Sequence, residues 1–530
     1  MSATVVNEPS TGVGQPGARR QVLKALSGLL IALFVSSLSS TVVSTALPRI
    51  IGSLNGSPTQ YTWVVTATLL SAAATTPIWG KLSDLFSKKT LVQAAIAVFV
   101  LGSMAAGVSQ SAGQLIASRA VQGIGVGGVQ ALVQIAIAAM IPPRERGRYS
   151  GYLSSVTAVS TIGGPLLGGV VVDTPWLGWR WCFFVGVPVA AVALVLLQRT
   201  LRLPVIRRGD VKIDYLGATL IASGVSVLLI WVSFVGRSFA WASWPTAFMV
   251  GGALILLAVA LVVETRVAEP IVPLGIIRRR TTALAIVGSL AVGTAMFGSS
   301  VFLSQYFQLS RGYAPTQAGL LTIPMMAGIL ISSVVAGRLI SRIGKIKPFI
   351  VAGAVFLMAG FAGLSTIDRT TPLAFVGVAM LFVGFGVGMT LQNLVLAVQN
   401  TVPLKDVGAA SSSVSFFRSL GGTIGVSVLG AVLARQVADQ TARGSAAAPG
   451  QAAQEIVRDA YGDASGHVFL ISACVAVLAV VAALLLKPVT LRASLDLADV
   501  GETAAGVVEG VPVVTPAALE PETPVRRQAT

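Results

Sequence analysis

Gly80-Lys81-Leu82-Ser83-Asp84-Leu85-Phe86-Ser87-Lys88-Lys89 and Gly337-Arg338-Leu339-Ile340-Ser341-Arg342-Ile343-Gly344-Lys345-Ile346-Lys347 are two copies of one short pattern, 257 residues apart. Each opens on glycine, carries several cations, and is flanked by apolar runs of about 17 to 25 residues, long enough to cross a hydrocarbon core as helices. A basic loop duplicated between apolar runs points to a chain built from two related halves. That is the architecture of carriers whose halves rock about a central site.

The rest of the chain extends this reading. Of its 530 residues, 54% are hydrophobic and 11% charged, and the mean hydropathy is +0.83. Ordinary soluble domains are about a quarter charged, so a soluble protein is excluded. The runs do not alternate apolar with polar, and a membrane interior offers no water to unpaired backbone groups, so a barrel is excluded too. An all-α integral membrane protein remains. Breaking the runs at charge clusters, Pro and Gly predicts fourteen spans, beginning near Ala25, Thr62, Leu91, Gln114, Tyr149, Trp179, Tyr215, Pro245, Ala283, Gln317, Pro348, Leu373, Val407 and Val468. Span 1 runs past Ala46 without a small-residue cleavage site and reads as a retained helix.

Cytoplasmic loops carry the excess of Lys and Arg. Of the 37 such residues, 27 fall in the two terminal segments and the loops after even-numbered spans, eight on the other side, and Arg119 and Arg418 within spans. Both termini are therefore expected in the cytoplasm. The formal charge of +17 reads as a topology signal, because no basic cluster carries interleaved aromatics; no nucleic-acid partner is expected. Cys182, Cys474 and the single His467 supply neither a disulfide framework nor a metal site, and no Ser/His/Asp, HExxH or GxxxxGK[ST] arrangement is present. No enzyme activity, cofactor or metal is indicated.

If spans 1 to 6 and 9 to 14 form the two bundles, both copies of the loop fall between the second and third helices of their half. The expected division is 1–23, an N-terminal segment; 24–200, the first bundle; 201–280, two inserted helices with their loops; 281–490, the second bundle, with a long external loop at 435–467; and 491–530, a disordered tail.

On these loops, and on further motifs in order, the chain resembles the major facilitator superfamily, in its fourteen-helix drug/proton antiporter branch of EmrB/QacA-like exporters. The motifs are Ala46-Leu47-Pro48, Arg119 to Gly128, Gly164-Pro165 with Gly168-Gly169, and Trp179-Arg180-Trp181. They continue with Ile213-Asp214-Tyr215-Leu216-Gly217, Glu264-Thr265-Arg266 with Glu269-Pro270, and Arg418-Ser419-Leu420-Gly421-Gly422. The resemblance implies two six-helix bundles plus two extra central helices in a lipid bilayer, and export of small amphipathic substrates in exchange for protons.

It also implies roles. Gly80, Asp84, Lys88 and Lys89, with Gly337, Arg342 and Gly344, make a conformational latch, although Leu85 and Ser87 replace the usual Arg and Gly and Ser341 stands at the second carboxylate position. Arg119 is proton-linked, with Asp84 a further candidate; a mid-span cation costs roughly 2.5 to 3.5 kcal/mol unless paired or hydrated, and the alternative for Arg119 is to snorkel from the external end of span 4. Gly151, Gly164, Pro165, Gly168 and Gly169 form the antiporter hinge of span 5, read as clearing one helix face, with Ser160 in place of a further glycine. The buried amides Gln130, Gln134, Gln305, Gln308, Gln392 and Asn393, with Arg418 and Trp63, are candidates for the cavity; Tyr306 and Phe307 are candidate aromatic walls. Interhelical bonding is the alternative for the amides.

None of the 20 acidic residues falls in the middle of a span. By the same resemblance, many relatives carry an aspartate in span 1 where this chain has Ser39, two residues before Thr41. Serine does not titrate, so either a carboxylate at a span end, such as Asp84 or Asp173, carries the proton, or coupling differs. The expected activity is multidrug efflux, with a dedicated exporter of one lipid or antibiotic-like product as the alternative and a non-transporting sensor as a remote one. A ratio of 28 Arg to 9 Lys suggests a GC-rich bacterial genome and hence a bacterial plasma membrane, and a monomer is expected.

Overall fold

The computed structural model describes residues 16–56, 58–174, 176–201, 214–235, 239–267, 274–403, 406–447, 453–488 and 491. Residues 1–15, the loop 202–213, the stretch 268–273 containing Glu269-Pro270, and the tail from 492 lie outside them.

The helices begin and end where local chemistry directs. The first bundle comprises α1 (Pro16–Ser53), α2 (Pro58–Leu85), α3 (Lys88–Gly107), α4 (Ala112–Met140), α5 (Pro143–Asp173) and α6 (Trp181–Phe184, continuing into Gly186–Thr200). Then come α7 (Tyr215–Phe234) and α8 (Trp244–Arg266). The second bundle comprises α9 (Arg280–Gln305), α10 (Ile323–Ile343), α11 (Lys347–Leu364), α12 (Leu373–Gln399), α13 (Val407–Ala447) and α14 (Ala453–Leu485). Ser111 caps α4 by accepting the Gln114 amide, and Asp214 caps α7 by accepting that of Gly217. Pro143 opens α5, where a missing N–H costs nothing. Gly344 closes α10 at φ +74°, a left-handed cap that suits glycine.

Eleven helices among the described residues have the length and apolarity to cross a membrane. The long α2 and α5 and the shorter apolar stretch of α7 complete an order of elements consistent with fourteen spans. Within each half the pairings repeat. α1 packs on α5 and α6, and α4 on α2 and α3; eight helices later α9 packs on α13 and α14, and α12 on α10 and α11. The duplication read from one loop thus extends to the whole bundle.

Between the halves, α2 lies against α13 and α5 against α10. α7 packs at the first seam: Ile221, Val225 and Leu229 are buried with Ala73 of α2 and Phe416 of α13, and α8 packs on α7. The segment 435–467, expected as a long loop with a short helix around Ala452 to Ala460, is helix wherever it is described, because α13 runs on to Ala447 and α14 starts at Ala453. Hydropathy ends a span where apolarity ends, whereas Ala, Gln and Arg go on favouring helix beyond it.

Candidate functional site

The duplicated glycines set the approach of the two bundles. A Cβ on Gly80 would collide with Ser412 of α13, and one on Gly408 would collide with Ser83, Asp84 and the Gly80 carbonyl. In the other copy, a Cβ on Gly337 would collide with the Gly147 carbonyl oxygen, and Gly147 in turn abuts the Gly337 carbonyl. Each loop therefore starts at a glycine that meets, backbone to backbone, a glycine in the first turns of the opposite bundle's fifth helix. Close approach of this kind needs a missing side chain on both partners.

Asp84 converts the first contact into a bond. Its carboxylate, 8% exposed, accepts the backbone N–H groups of Gly408 at 2.9 Å and Ala409 at 2.8 Å. A carboxylate on a helix N-terminus satisfies orphan donors and meets the positive end of the dipole. Such charge-assisted bonds contribute about 1.5–3 kcal/mol each. In the second copy the Ser341 hydroxyl donates back to the Gly337 carbonyl at 3.0 Å.

A second link between the bundles comes from a residue that the sequence reading counted only as a loop charge. Arg146, 4% exposed at the start of α5, donates through Nε to the Ile141 carbonyl at 2.7 Å, through Nη2 to the Ala138 carbonyl, and through Nη1 to Gln399 Oε1 of α12 at 3.3 Å. Gln399 Nε2 donates to Ser411 Oγ of α13 at 2.9 Å. Arg146 therefore satisfies the last carbonyls of α4 and reaches across to the second bundle. Lys89, expected in the latch, instead donates to the Gln198 carbonyl of α6 at 2.8 Å. Arg342 is exposed at the end of α10 beside the Gly344 cap.

Arg119 is 2% exposed, so it does not snorkel. Nη1 donates to Gln122 Oε1 and Nε to the Val64 carbonyl of α2 at 3.4 Å. Gln122 Nε2 then donates to Ser39 Oγ of α1 at 3.0 Å and Ser103 Oγ of α3 at 2.7 Å. An amide thus links the arginine to Ser39 of α1, 83 residues from Gln122 in the chain. Sequence reasoning passed over Gln122, although its place three residues after Arg119 on one helix face was a usable signal.

The hinge reading is corrected in one respect: its glycines do not share a face. A Cβ on Gly164 would collide with the Thr41 hydroxyl of α1, whereas one on Gly151 would sit 3.2 Å from the Val334 Cα of α10. Thirteen residues turn a helix by about 220° beyond whole turns, so the two positions look in different directions. Ser160 and Thr41 tie α5 to α1, Thr41 Oγ1 donating to the Ser160 carbonyl at 3.0 Å and Ser160 Oγ to the Phe34 carbonyl at 3.2 Å. Gly168 is buried, and Pro165 and Gly169 lie within α5.

The cavity candidates have different partners. Trp63 packs against Phe234 of α7, ring centroids 4.8 Å apart and planes inclined at 34°. Tyr306 and Phe307 lie in a π turn (Tyr306–Ser310) inside the second bundle's core, with Tyr306 donating to the Asp368 carbonyl at 2.8 Å. They are core rather than walls. Gln308 donates to Ser304 Oγ at 2.8 Å and Asn393 to the Met389 carbonyl at 2.6 Å, both within one turn of helix. Gln130, Gln305 and Gln392 are half-buried. Gln134 Oε1 on α4 and Arg418 Nη1 on α13 are buried without a hydrogen-bond partner.

A sequence model described as Major Facilitator Superfamily matches residues 29–214 and 215–426. An uncharacterized MFS-type transporter of Mycobacterium tuberculosis strain H37Rv is 34% identical over 497 residues, 91% of this chain and 71% of its own. The multidrug transporter protein MdtP of Bacillus subtilis strain 168 is 34% identical over 409 residues, 77% of this chain and 74% of its own. Among solved structures, the human organic anion transporter MFSD10 superposes with a TM-score of 0.59 at 14% identity, over 87% of this chain and all of that one. At that identity the likeness is one of fold.

Proposed function

Because the chain belongs to the major facilitator superfamily, we propose that it is a secondary active exporter of amphipathic small molecules, a multidrug efflux carrier that works by alternating access and proton antiport. The observation that carries this is the latch. Asp84 and the paired glycines close one end of the molecule through contacts that must separate whenever the bundles rock. A static membrane scaffold has no use for a contact of that kind on both pseudo-symmetric seams.

In this reading the latch end faces the cytoplasm of a bacterial cell, both termini lie there, and the bundles are 24–200 and 281–490 with 201–280 inserted. Arg119, held by Gln122, acts in proton movement, and Gly164 against Thr41 lets α5 move on α1. Arg119 and Arg418 are the two cations within the predicted spans, and no carboxylate lies mid-span. This electrostatic balance favours neutral or anionic compounds over cationic ones, because a buried cation needs a counter-charge that a carboxylate here does not supply. It also supports the second reading, a dedicated exporter of one acidic or neutral product.

The test is efflux of ethidium and of a neutral lipophilic dye from cells expressing wild type or Arg119→Ala, with and without a protonophore. Protonophore-sensitive, Arg119-dependent efflux of the neutral dye supports multidrug antiport. Expulsion of neither dye at normal membrane expression shifts the assignment to the dedicated exporter.

A further inference from the structure

At the latch end of the first bundle, the start of α3 and the end of α6 flank an open cleft of about 560 Å³. It lies between two helices of the same bundle, away from the seams. Its lining changes character with depth. Thr90 and Gln93 in the first turns of α3, with Gln198 and Arg199 in the last turn of α6, form the mouth. Deeper, the walls are Ala94 and Ala97 opposite Leu194 and Val195. Thr90, Ala94 and Ala97 share one helix face, and seven residues of helix carry it about 10 Å further into the membrane. The alanines leave the width that larger side chains would fill.

The mouth is built and positive. Gln198 is held from two sides, its carbonyl accepting Lys89 Nζ at 2.8 Å and its Oε1 accepting Gln93 Nε2 at 2.6 Å. Arg199 is exposed beside it, and no acidic residue lines the cleft. Cations at headgroup level above an apolar slot match the two parts of a phospholipid, and basic pockets between helix ends are where anionic headgroups are held. A guanidinium offers a phosphate two parallel N–H donors.

We infer that this cleft binds an anionic phospholipid of the leaflet at the latch end, with its phosphate on Arg199, Thr90 and Gln93 and one acyl chain along Ala94 and Ala97. Naming that leaflet cytoplasmic rests on the orientation proposed above; the site itself does not. Lys88 and Lys89 follow directly on the loop that carries Asp84, so a lipid seated here braces the helix end from which the latch is hung.

The experiment is thermal unfolding of the delipidated full-length protein in detergent, followed by tryptophan fluorescence. The additions are phosphatidylglycerol, phosphatidylcholine of the same chains, or inorganic phosphate, and the proteins are wild type, Arg199→Gln and Ala97→Leu. Phosphatidylglycerol is expected to raise the wild-type midpoint by about 3 °C or more, at least twice the effect of phosphatidylcholine, with phosphate inert. Both variants should lose that excess, and native mass spectrometry should show a retained phosphatidylglycerol on wild type only. Equal stabilisation by the two lipids, an equal effect of free phosphate, or an undiminished excess in both variants overturns the site. A single symmetric peak on size exclusion in detergent shows that each variant is folded; dye efflux is read separately, so failure of the lipid site leaves the transport assignment standing.

Discussion

Asp84 and Gly408 stand 324 residues apart in the chain, yet the carboxylate of one accepts the backbone N–H of the other at 2.9 Å. With the Ala409 amide on its second oxygen, this is a helix cap supplied across the bundle interface rather than by the helix it caps. An internal cap stabilises one helix in every state; this one stabilises only the state in which the bundles meet at the latch end.

Asp84→Asn keeps the shape but loses the charge and one of the two acceptors. At about 1.5–3 kcal/mol per charge-assisted bond, the closed form should lose roughly tenfold or more in population relative to the open one. Spin labels at the exposed Phe86 and Arg342, on opposite bundles, report the change. A distance distribution unchanged from wild type would show that the cap does not hold the latch.

Gly337→Ala places a methyl against the Gly147 carbonyl, where neither backbone has a flexible part to yield. Overpacking of this kind typically costs about 1–3 kcal/mol. The closed end should be weakened as in Asp84→Asn, and the two effects should add, since the contacts lie on different seams. The same distance measurement on both single variants and the double variant checks this.

Gln122→Leu leaves the Arg119 guanidinium without its side-chain partner. Stranding a buried charged donor costs about 1–3 kcal/mol or more, so the thermal midpoint should fall together with efflux. Gln122→Glu should keep the position filled, with Arg119 paired to a carboxylate. An unchanged midpoint in Gln122→Leu would mean that the Val64 carbonyl alone satisfies Arg119.

Ser39→Asp puts a carboxylate 3.0 Å from the Gln122 amide, where wild type has a hydroxyl. The carboxylate supplies the missing central anion, so the ratio of ethidium efflux to neutral-dye efflux should rise several-fold, and that ratio should fall back toward the wild-type value as external acidity protonates the new group. Dye-ratio measurements over a pH series decide this; a ratio equal to that of wild type refutes the electrostatic account of substrate charge.

Much of this architecture was open to reading from the sequence, and the omissions share a cause. Asp84 was singled out because a carboxylate among Lys81, Lys88 and Lys89 is conspicuous, but its partners are backbone amides and leave no mark in residue identities. Arg146 sat in a run of loop cations and was indistinguishable from Arg144 and Arg148 until its burial was known. Gly408 and Gly147 are single glycines among the chain's 56; only their contact with Gly80 and Gly337 distinguishes them. The hinge glycines looked like one face because motif spacing conceals the rotation between Gly151 and Gly164.

What the sequence by itself determined is the class of fold, the number of halves, the orientation signal and the absence of a mid-span carboxylate, because transfer of apolar and charged groups between water and lipid depends on residue type and run length alone. What only the tertiary structure decided is who meets whom: the α13 amides on Asp84, Arg146 on Gln399, Gln122 between Arg119 and Ser39. Those pairings join positions on different helices. Their energies depend on ångström-scale approach and on burial, which packing sets and composition does not.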